Sequence, residues 1–452
     1  MACDGVTRRE FLAAAGAGTA GAALSAWPRW GLGEEAPNRP GIRPPNIVFI
    51  LADDLGFDLL SCYGSGQFKT PRVDALADQG IRFRYCHTSP VCGPSRCQFT
   101  TGMYPFRTSH VENHPHVATI DPTGLPSVAK VLRGAGYATG LCGKWHMSRT
   151  PQDWGFDESG ARGAKYWMTD KDGKRLYGQD VLYAWAADFI QRHAAHPFFL
   201  WYSLHVPHAD LSYTPDSAPE TVAQCKDRSL ASKTLGQTIM ADNLAYMDKL
   251  IGKLTAELGR LKLREDTLVV FAGDNGTAGR FSIGGRKLAG AKRSLKDGGA
   301  TVPLIACWPG MTPAGKVCDD LVGFEDFLPT FAELAGAALP QDKVLDGMSL
   351  APELRGERGR PREMIFTQYI NKWFVRSHTR KLYSDGRWVD TTDYPFLEKE
   401  LPADADPEMR KRFQKRADDL GVDAVMRAHP EWHDWSGQKA GRTAPRGSDA
   451  EP

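Results

Sequence analysis

The chain has 452 residues, 42% of them hydrophobic and 24% charged, with 56 Lys and Arg against 54 Asp and Glu. That length suits two or three domains, or one large α/β domain with an appendage, and the apolar fraction is enough for a sizeable core. The net charge of +2 lacks the basic bias of a nucleic-acid binder. Nine cysteines spread over so long a chain do not form a disulfide framework, and none has zinc spacing, although an exported protein has room for one or two bridges. The 12 Trp read mainly as core packing, with sugar-stacking surfaces as the alternative.

Thr7-Arg8-Arg9-Glu10-Phe11-Leu12, followed by an Ala/Gly-rich, weakly apolar run to Trp27, reads as a Tat-type signal peptide over residues 1–30. An ordinary Sec signal or a lipid-facing anchor is the alternative. The run is short and broken by glycine, so no stable membrane span is expected. A Tat signal implies the Tat export machinery as a partner and a periplasmic or extracellular location. Residues 31–45 are rich in Pro, Gly and charge and read as a linker.

The catalytic region is expected over 46–358. Residues 46–51 form a continuous apolar run ending at Ala52-Asp53-Asp54, as a buried parallel strand does. A helix follows over 70–77, with Thr70 as its cap and Pro71 at its first position. Strands are expected at 81–83, 137–141, 197–202, 267–271 and 302–307. Helices are expected at 127–134, 181–193, 238–261 and 324–335. This alternation predicts an α/β fold with a large mixed, mainly parallel sheet sandwiched by helices. Asp53, Asp54, Asp274 and Asn275 directly follow strands, so they are expected to meet at one end of the sheet. From 359 to 435 short strands at 364–370, 372–376 and 380–383 predict a smaller C-terminal antiparallel sheet subdomain, with one or two charged helices over 407–427. Residues 436–452 read as a disordered tail.

The motif with the most chemistry is Cys92-Gly93-Pro94-Ser95-Arg96, followed by Thr101-Gly102 and Pro105. It resembles the signature of the type I, formylglycine-dependent sulfatases of the alkaline phosphatase superfamily. A chance cysteine turn or a direct Cys nucleophile is the alternative reading of the motif alone. Further blocks resemble the same family in order. They are residues 45–56, 70–77, 136–146, 197–200 with Pro207-His208, 272–276, and Gly290-Ala291-Lys292 with Asp297-Gly298-Gly299.

The resemblance implies a sulfuric ester hydrolase, arylsulfatase-like, acting on a sulfated small molecule or glycan. A formylglycine-generating maturation enzyme would convert Cys92. Asp53, Asp54, Asp274 and Asn275 would bind Ca2+, with Mg2+ as the alternative ion; all four offer the oxygen atoms a hard cation takes. Arg96 would pair with the formylglycine hydroxyl and the metal carboxylates. Lys144 and Lys292 would hold sulfate oxygens. His146 would take the proton of the geminal diol, and His208 would protonate the leaving oxygen. His205 is read either as a support of this group or as structural. Residues His110, His114, Lys165, Trp167 and Trp373, with Asn113, His116, Arg162, Tyr166 and Lys372 nearby, are candidate substrate contacts because mixed aromatic and basic side chains suit a sulfated sugar.

Two features depart from the family pattern. Ala300-Thr301 stand where an aliphatic residue and Arg are common, which predicts a local packing change. The region after Val389 follows the family ending loosely. A phosphonate monoester or phosphodiester hydrolase of the same superfamily is the competing activity, because both substrates are tetrahedral oxyanions. A catalytically silent binding protein would be expected to lack a key residue, and none is missing.

Overall fold

The computed structural model describes residues 44–113, 120–164, 166–208, 211–226, 233–279 and 281–432. The expected signal segment, the linker up to residue 43, and the tail lie outside these residues, as do His114, His116 and Lys165.

Eight strands form the main sheet. They are β1 (Asn46–Ala52), β2 (Ile81–His87), β3 (Ala138–Gly143), β4 (Glu158–Gly160), β5 (Phe198–Ser203), β6 (Thr267–Gly273), β7 (Thr301–Cys307) and β8 (Lys316–Gly323). Their order across the sheet is β8-β2-β7-β6-β1-β5-β3-β4. All neighbours are parallel except β7, which runs antiparallel to both β2 and β6. The sheet is therefore mixed and mainly parallel. The strand β8 carries charged residues and a register shift, so its apolar pattern is too weak to read from sequence.

Strand β1 shows why the sheet lies between two helical layers. Every one of its residues is buried, and successive side chains face opposite sides of a strand. Ile47, Phe49 and Leu51 join a core with Phe99, Leu132, Trp201, Phe327 and Phe331. Val48, Ile50 and Ala52 join a second core with Val73, Leu182, Leu244, Met247 and Phe271. The first core is covered by α2 (Cys92–Thr101), α3 (Val128–Gly134) and α6 (Phe327–Ala335). The second is covered by α1 (Pro71–Asp78), α4 (Gly178–Arg192) and α5 (Lys233–Arg260). The rings of Phe49 and Phe99 stack at 4.0 Å, joining the sheet to α2; burying one such side chain stabilises by roughly 1.5–3 kcal/mol.

Thr70 stands at the N-cap position of α1, but its hydroxyl does not cap the helix. It is 2.8 Å from the Ser61 hydroxyl. Pro71 has no N–H to satisfy, and the Asp248 carboxylate of α5 accepts from the backbone N–H of Arg72 and Val73 at 2.9 Å. The cap thus comes from a residue distant in sequence.

A five-stranded antiparallel sheet follows, made of β9 (Ile365–Tyr369), β10 (Lys372–Arg376), β11 (Arg380–Tyr383), β12 (Trp388–Asp390) and β13 (Lys399–Glu400). Two helices pack on it, α7 (Pro407–Leu420) and α8 (Val422–Ala428), parted by Gly421 at φ 68°. Their shared core takes in Tyr104, Phe106 and Val111 from the segment after α2. Most tryptophans serve as core: Trp145, Trp154, Trp201, Trp308, Trp373, Trp388 and Trp432 are all buried. Ala300, at the departure from the family pattern, packs against Phe374, Tyr383 and Val389 of this sheet. The eight described cysteines are free thiols, and no described helix is long and apolar enough to cross a membrane.

Candidate active site

Strand register assembles the site. Leu51 of β1 and Gly143 of β3 both pair with Ser203 of β5, and Ala52 pairs with Gly273 of β6. The parallel strands therefore end at one level. The residues that follow them, Asp53 and Asp54, Lys144, His205 and His208, and Asp274 and Asn275, converge outside the carboxyl end of the sheet. Cys92 begins α2, whose N-terminal dipole favours negative charge at that point. Its first free donor is not capped by its own N-cap residue; instead the Gly93 N–H donates to Asn113 Oδ1 at 2.8 Å.

Six ionisable side chains enclose Cys92. The thiol donates to Asp53 Oδ1 at 3.2 Å and lies 3.6 Å from Asp54 Oδ1. Lys292 Nζ is 3.5 Å from the sulfur and 2.6 Å from Asp54 Oδ1. Lys144 Nζ is 2.6 Å from Asp53 Oδ2. Arg96 donates through Nε and Nη2 to Asp274 Oδ2 at 3.1 and 2.8 Å. Asp53, Asp54, Asp274, Asn275, Arg96 and Cys92 are all buried, and the side chains of Lys144 and Lys292 are only 13% exposed.

The three carboxylates are thus matched by three cations. Burial pushes the Asp53 carboxyl up, but Lys144 and Arg96 outweigh it and hold it well below the usual range. Burial, and then Asp53, push Asp274 up to about 6. Burial, then Asp274 and Asp53, raise the Cys92 thiol well above its ordinary value, so the sulfur stays protonated and weakly nucleophilic. Burial works against the charge of Lys144, but Asp53 raises its pKa.

The donor set fits a hard cation. Ligand atoms of Asp53, Asp54, Cys92 and Asp274 lie within 4.8 Å of one another. Asn275 donates to Asp54 Oδ1 at 2.8 Å, while its own Oδ1 is buried without a hydrogen-bond partner. A buried carbonyl oxygen left unpaired beside carboxylates is a ligand atom in search of a cation.

Two histidines, His208 and His146, stand at the rim. His208 Nε2 is 3.8 Å from Asp54 Oδ2, with its side chain 30% exposed. His146 is exposed on one side at φ 56°. The protein atoms enclosing its other sides, then Lys144 and Arg96, lower its pKa well below the ordinary value. His205 is buried, its Nε2 3.5 Å from the Arg162 carbonyl, and burial lowers its pKa to about 3.

The candidate substrate contacts divide. His110 is buried behind Cys92, where a Cβ added to Gly93 would meet its Nε2 at 2.6 Å. Trp167 is half-buried between Tyr177 and Tyr213 with Arg175 over its ring at 4.6 Å. The neighbouring Tyr166 hydroxyl donates to the His208 carbonyl at 3.0 Å. Trp373 is not a surface contact. It is 2% exposed, packs against Phe366, and its indole N–H donates to Asp423 Oδ1 at 3.0 Å. Its place on a short strand with a basic neighbour hid the fact that it faces the helices of its own subdomain.

Ser203, which carries no motif, proves to be a support. Its hydroxyl accepts from Arg96 Nη1 at 2.6 Å and donates to the Lys144 carbonyl at 2.6 Å. Its only signal in sequence is its position as the last residue of a buried strand.

The sulfatase family model matches residues 45–337. Human arylsulfatase A is 33% identical over 382 residues, covering 72% of this chain and 70% of that protein. The crystal structure of Ps i-CgsB in complex with k-i-k-neocarrahexaose superposes with a TM-score of 0.66 at 26% identity, covering 86% of this chain and 93% of that one. The phosphonate monoester hydrolase of Agrobacterium radiobacter shares the fold, with a TM-score of 0.64 at 21% identity over 84% of this chain and 95% of its own. The match over most of the catalytic sheet, together with the relative at one-third identity, establishes that this chain belongs to the sulfatase family and is a sulfatase.

Proposed function

We propose that the chain hydrolyses sulfate esters of carbohydrates with a formylglycine made from Cys92 and a Ca2+ ion held by Asp53, Asp54, Asp274 and Asn275. The observation that carries the reading is the setting of Cys92. Its buried thiol is raised in pKa among carboxylates, so it is a poor nucleophile as it stands, yet it occupies the centre of the cluster. The hydrated aldehyde would supply an oxygen nucleophile, and the ion would supply charge to bind a sulfate oxygen.

The residues of the chain do the remainder. Lys144 and Lys292 bind the other sulfate oxygens and offset the charge that develops on them. Arg96, fixed by Asp274 and Ser203, holds the side chain at position 92 in place. His208, at the rim beside Asp54, donates a proton to the departing sugar oxygen. His146 has a lowered pKa, so it is neutral near pH 7 and able to accept a proton from the side chain at position 92. Trp167, half-buried beside the rim, borders the substrate. The carbohydrate class rests on the hexaose held by Ps i-CgsB and on the half-buried ring of Trp167, backed by the buried Tyr213.

Maturation by a formylglycine-generating enzyme, Tat export and a periplasmic or extracellular location belong to the same proposal. Phosphonate monoester hydrolysis is the second reading; the likeness that favours it is one of fold. The test is hydrolysis of an aryl sulfate and an aryl phosphonate by matured protein with Ca2+, with Cys92→Ala as control and mass spectrometry of the peptide around position 92. Faster sulfate release that needs Cys92 is expected. Faster phosphonate cleavage, or turnover surviving in Cys92→Ala, would overturn it.

A further inference from the structure

Away from the Cys92 cluster, a second charged cluster is sealed from water. Asp297 opens a short buried turn, Asp297–Ala300, that leads into β7. Its Oδ1 receives Arg376 Nη1 at 2.6 Å and Lys381 Nζ at 2.9 Å. Both cations come from the C-terminal sheet, and their side chains are 0% exposed. Lys381 also donates to Glu398 Oε1 at 2.6 Å, and the other oxygen of Glu398 accepts from the Tyr383 hydroxyl at 2.6 Å. Arg376 further donates to Thr391 Oγ1 at 3.3 Å. Two acids and two bases form one neutral, buried network.

The turn that this network grips is bonded to the Asn275 and Lys292 segments of the active site and, through Thr88, to the start of α2. The Gly276 N–H, next to Asn275, donates to the Gly299 carbonyl at 3.0 Å. Gly298 N–H donates to Ala289 O at 2.7 Å, at the start of the loop bearing Lys292. Lys292 N–H donates to Thr277 O at 3.0 Å. Thr88 N–H donates to Ala300 O at 3.0 Å, and the Thr88 hydroxyl donates to Ser95 in the first turn of α2. There is no slack, since a Cβ at Gly276 would collide with the Gly298 carbonyl and one at Gly299 with the carbonyls of Ala291 and Ser294.

Adhesion alone does not require such a network. Tyr104, Phe106 and Val111 already pack into the apolar core of the C-terminal sheet. A buried ion network adds little net stability over apolar packing of the same volume, but it is directional. We propose that Arg376 and Lys381 are positioning residues of the active site, acting through Asp297 to hold the Asn275 and Lys292 loops in place. The C-terminal sheet is then part of the catalytic apparatus. This rests on the reading of Asn275 as a Ca2+ ligand and Lys292 as a sulfate ligand.

The test compares wild type with Asp297→Asn, and with the double variant Lys381→Met, Glu398→Gln, which removes one acid and one base together and so avoids an unpaired buried charge. Four quantities are read on the full chain: metal-free melting temperature, Ca2+ affinity by calorimetry before maturation, and kcat and KM for an aryl sulfate after it. Loss of a residue that orients metal ligands costs about 10- to 100-fold in affinity or activity. Expected is a loss of at least about 10-fold in both Ca2+ affinity and kcat for Asp297→Asn, and at least about 3-fold for the double variant, with metal-free melting little changed in the latter. The single variant Lys381→Arg, which keeps both the charge and its partner Glu398, should retain part of the affinity. Ca2+ affinity and kcat within about 2-fold of wild type in either folded variant would overturn the proposal. Should wild type itself bind no Ca2+ or release no sulfate, it is the functional reading that fails, so the two failures are told apart by the wild-type control.

Discussion

Lys292 Nζ lies 2.6 Å from Asp54 Oδ1, although 238 residues separate the two in sequence. The same ammonium is 3.5 Å from the Cys92 sulfur. It therefore spans a metal-ligand candidate and the candidate nucleophile position, where a sulfate oxygen would sit. Lys292→Ala is expected to reduce kcat/KM by about 10²–10³-fold, as loss of one oxyanion donor does. Steady-state kinetics on an aryl sulfate, with circular dichroism to confirm folding, checks this.

Asn275 Oδ1 is the buried oxygen without a partner in the donor set. A cation that binds only the folded state stabilises it by about 2.7 kcal/mol at a concentration 100-fold above its Kd. Ca2+ should raise the melting temperature of wild type, and a chelator should reverse the rise. In Asn275→Ala the midpoint of that Ca2+ dependence should move to higher concentration. An identical dependence in both proteins would remove Asn275 from the ligand set.

Asp297 predicts an acid-sensitive stability. Burial pushes its carboxyl up, but Arg376 and Lys381 outweigh burial and hold it below the usual carboxylate range. An acid depressed in the folded state binds its proton more readily when unfolded. It therefore contributes stability that is present above the unfolded pKa of about 3.9 and is lost as pH falls toward the folded value. The melting-temperature gap between wild type and Asp297→Asn should be widest near pH 6–7 and narrow below about pH 4. A gap that widened as pH fell would contradict the pairing.

Trp373 is a packing residue, so its truncation should act on stability. Trp373→Ala leaves a cavity beside Phe366 and strands Asp423, at a cost of about 3–5 kcal/mol. Denaturant unfolding measures the loss. The KM of protein that remains folded should be close to that of wild type.

Arg175 lies over Trp167 at 4.6 Å and over Tyr213 at 5.6 Å, and the residue before Trp167, Tyr166, donates its hydroxyl to the His208 carbonyl. A planar guanidinium on an aromatic face is well suited to anions. Arg175→Ala is expected to raise KM for a sulfated oligosaccharide by about 10-fold or more, as one charge-assisted contact is worth, and to leave KM for a small aryl sulfate within about 2-fold. Equal effects on both substrates would place Arg175 outside the glycan path.

By itself, the sequence determined the central strands, the order of the chemical blocks and the helices that cover the sheet, except α2, whose residues 92–101 read as a motif and not as a helix. Continuous apolar runs such as 46–51 and 267–271 can be satisfied only inside a sheet covered on both faces. Polar residues at their carboxyl ends must then face the open end of that sheet, which is why Asp53 and Asp274 were legible as neighbours. Three things were decided only by the tertiary structure. Strand β7 runs antiparallel between parallel neighbours, because strand direction depends on the connections and not on composition. Trp373 faces inward and Ser203 joins Arg96 to Lys144, because a side chain's role depends on which elements pack against it. The hold of Arg376 and Lys381 on Asp297 joins residues 79 and 84 positions apart. Nothing local marks such a pairing, since buried charges are stable only where folding brings their partners within reach.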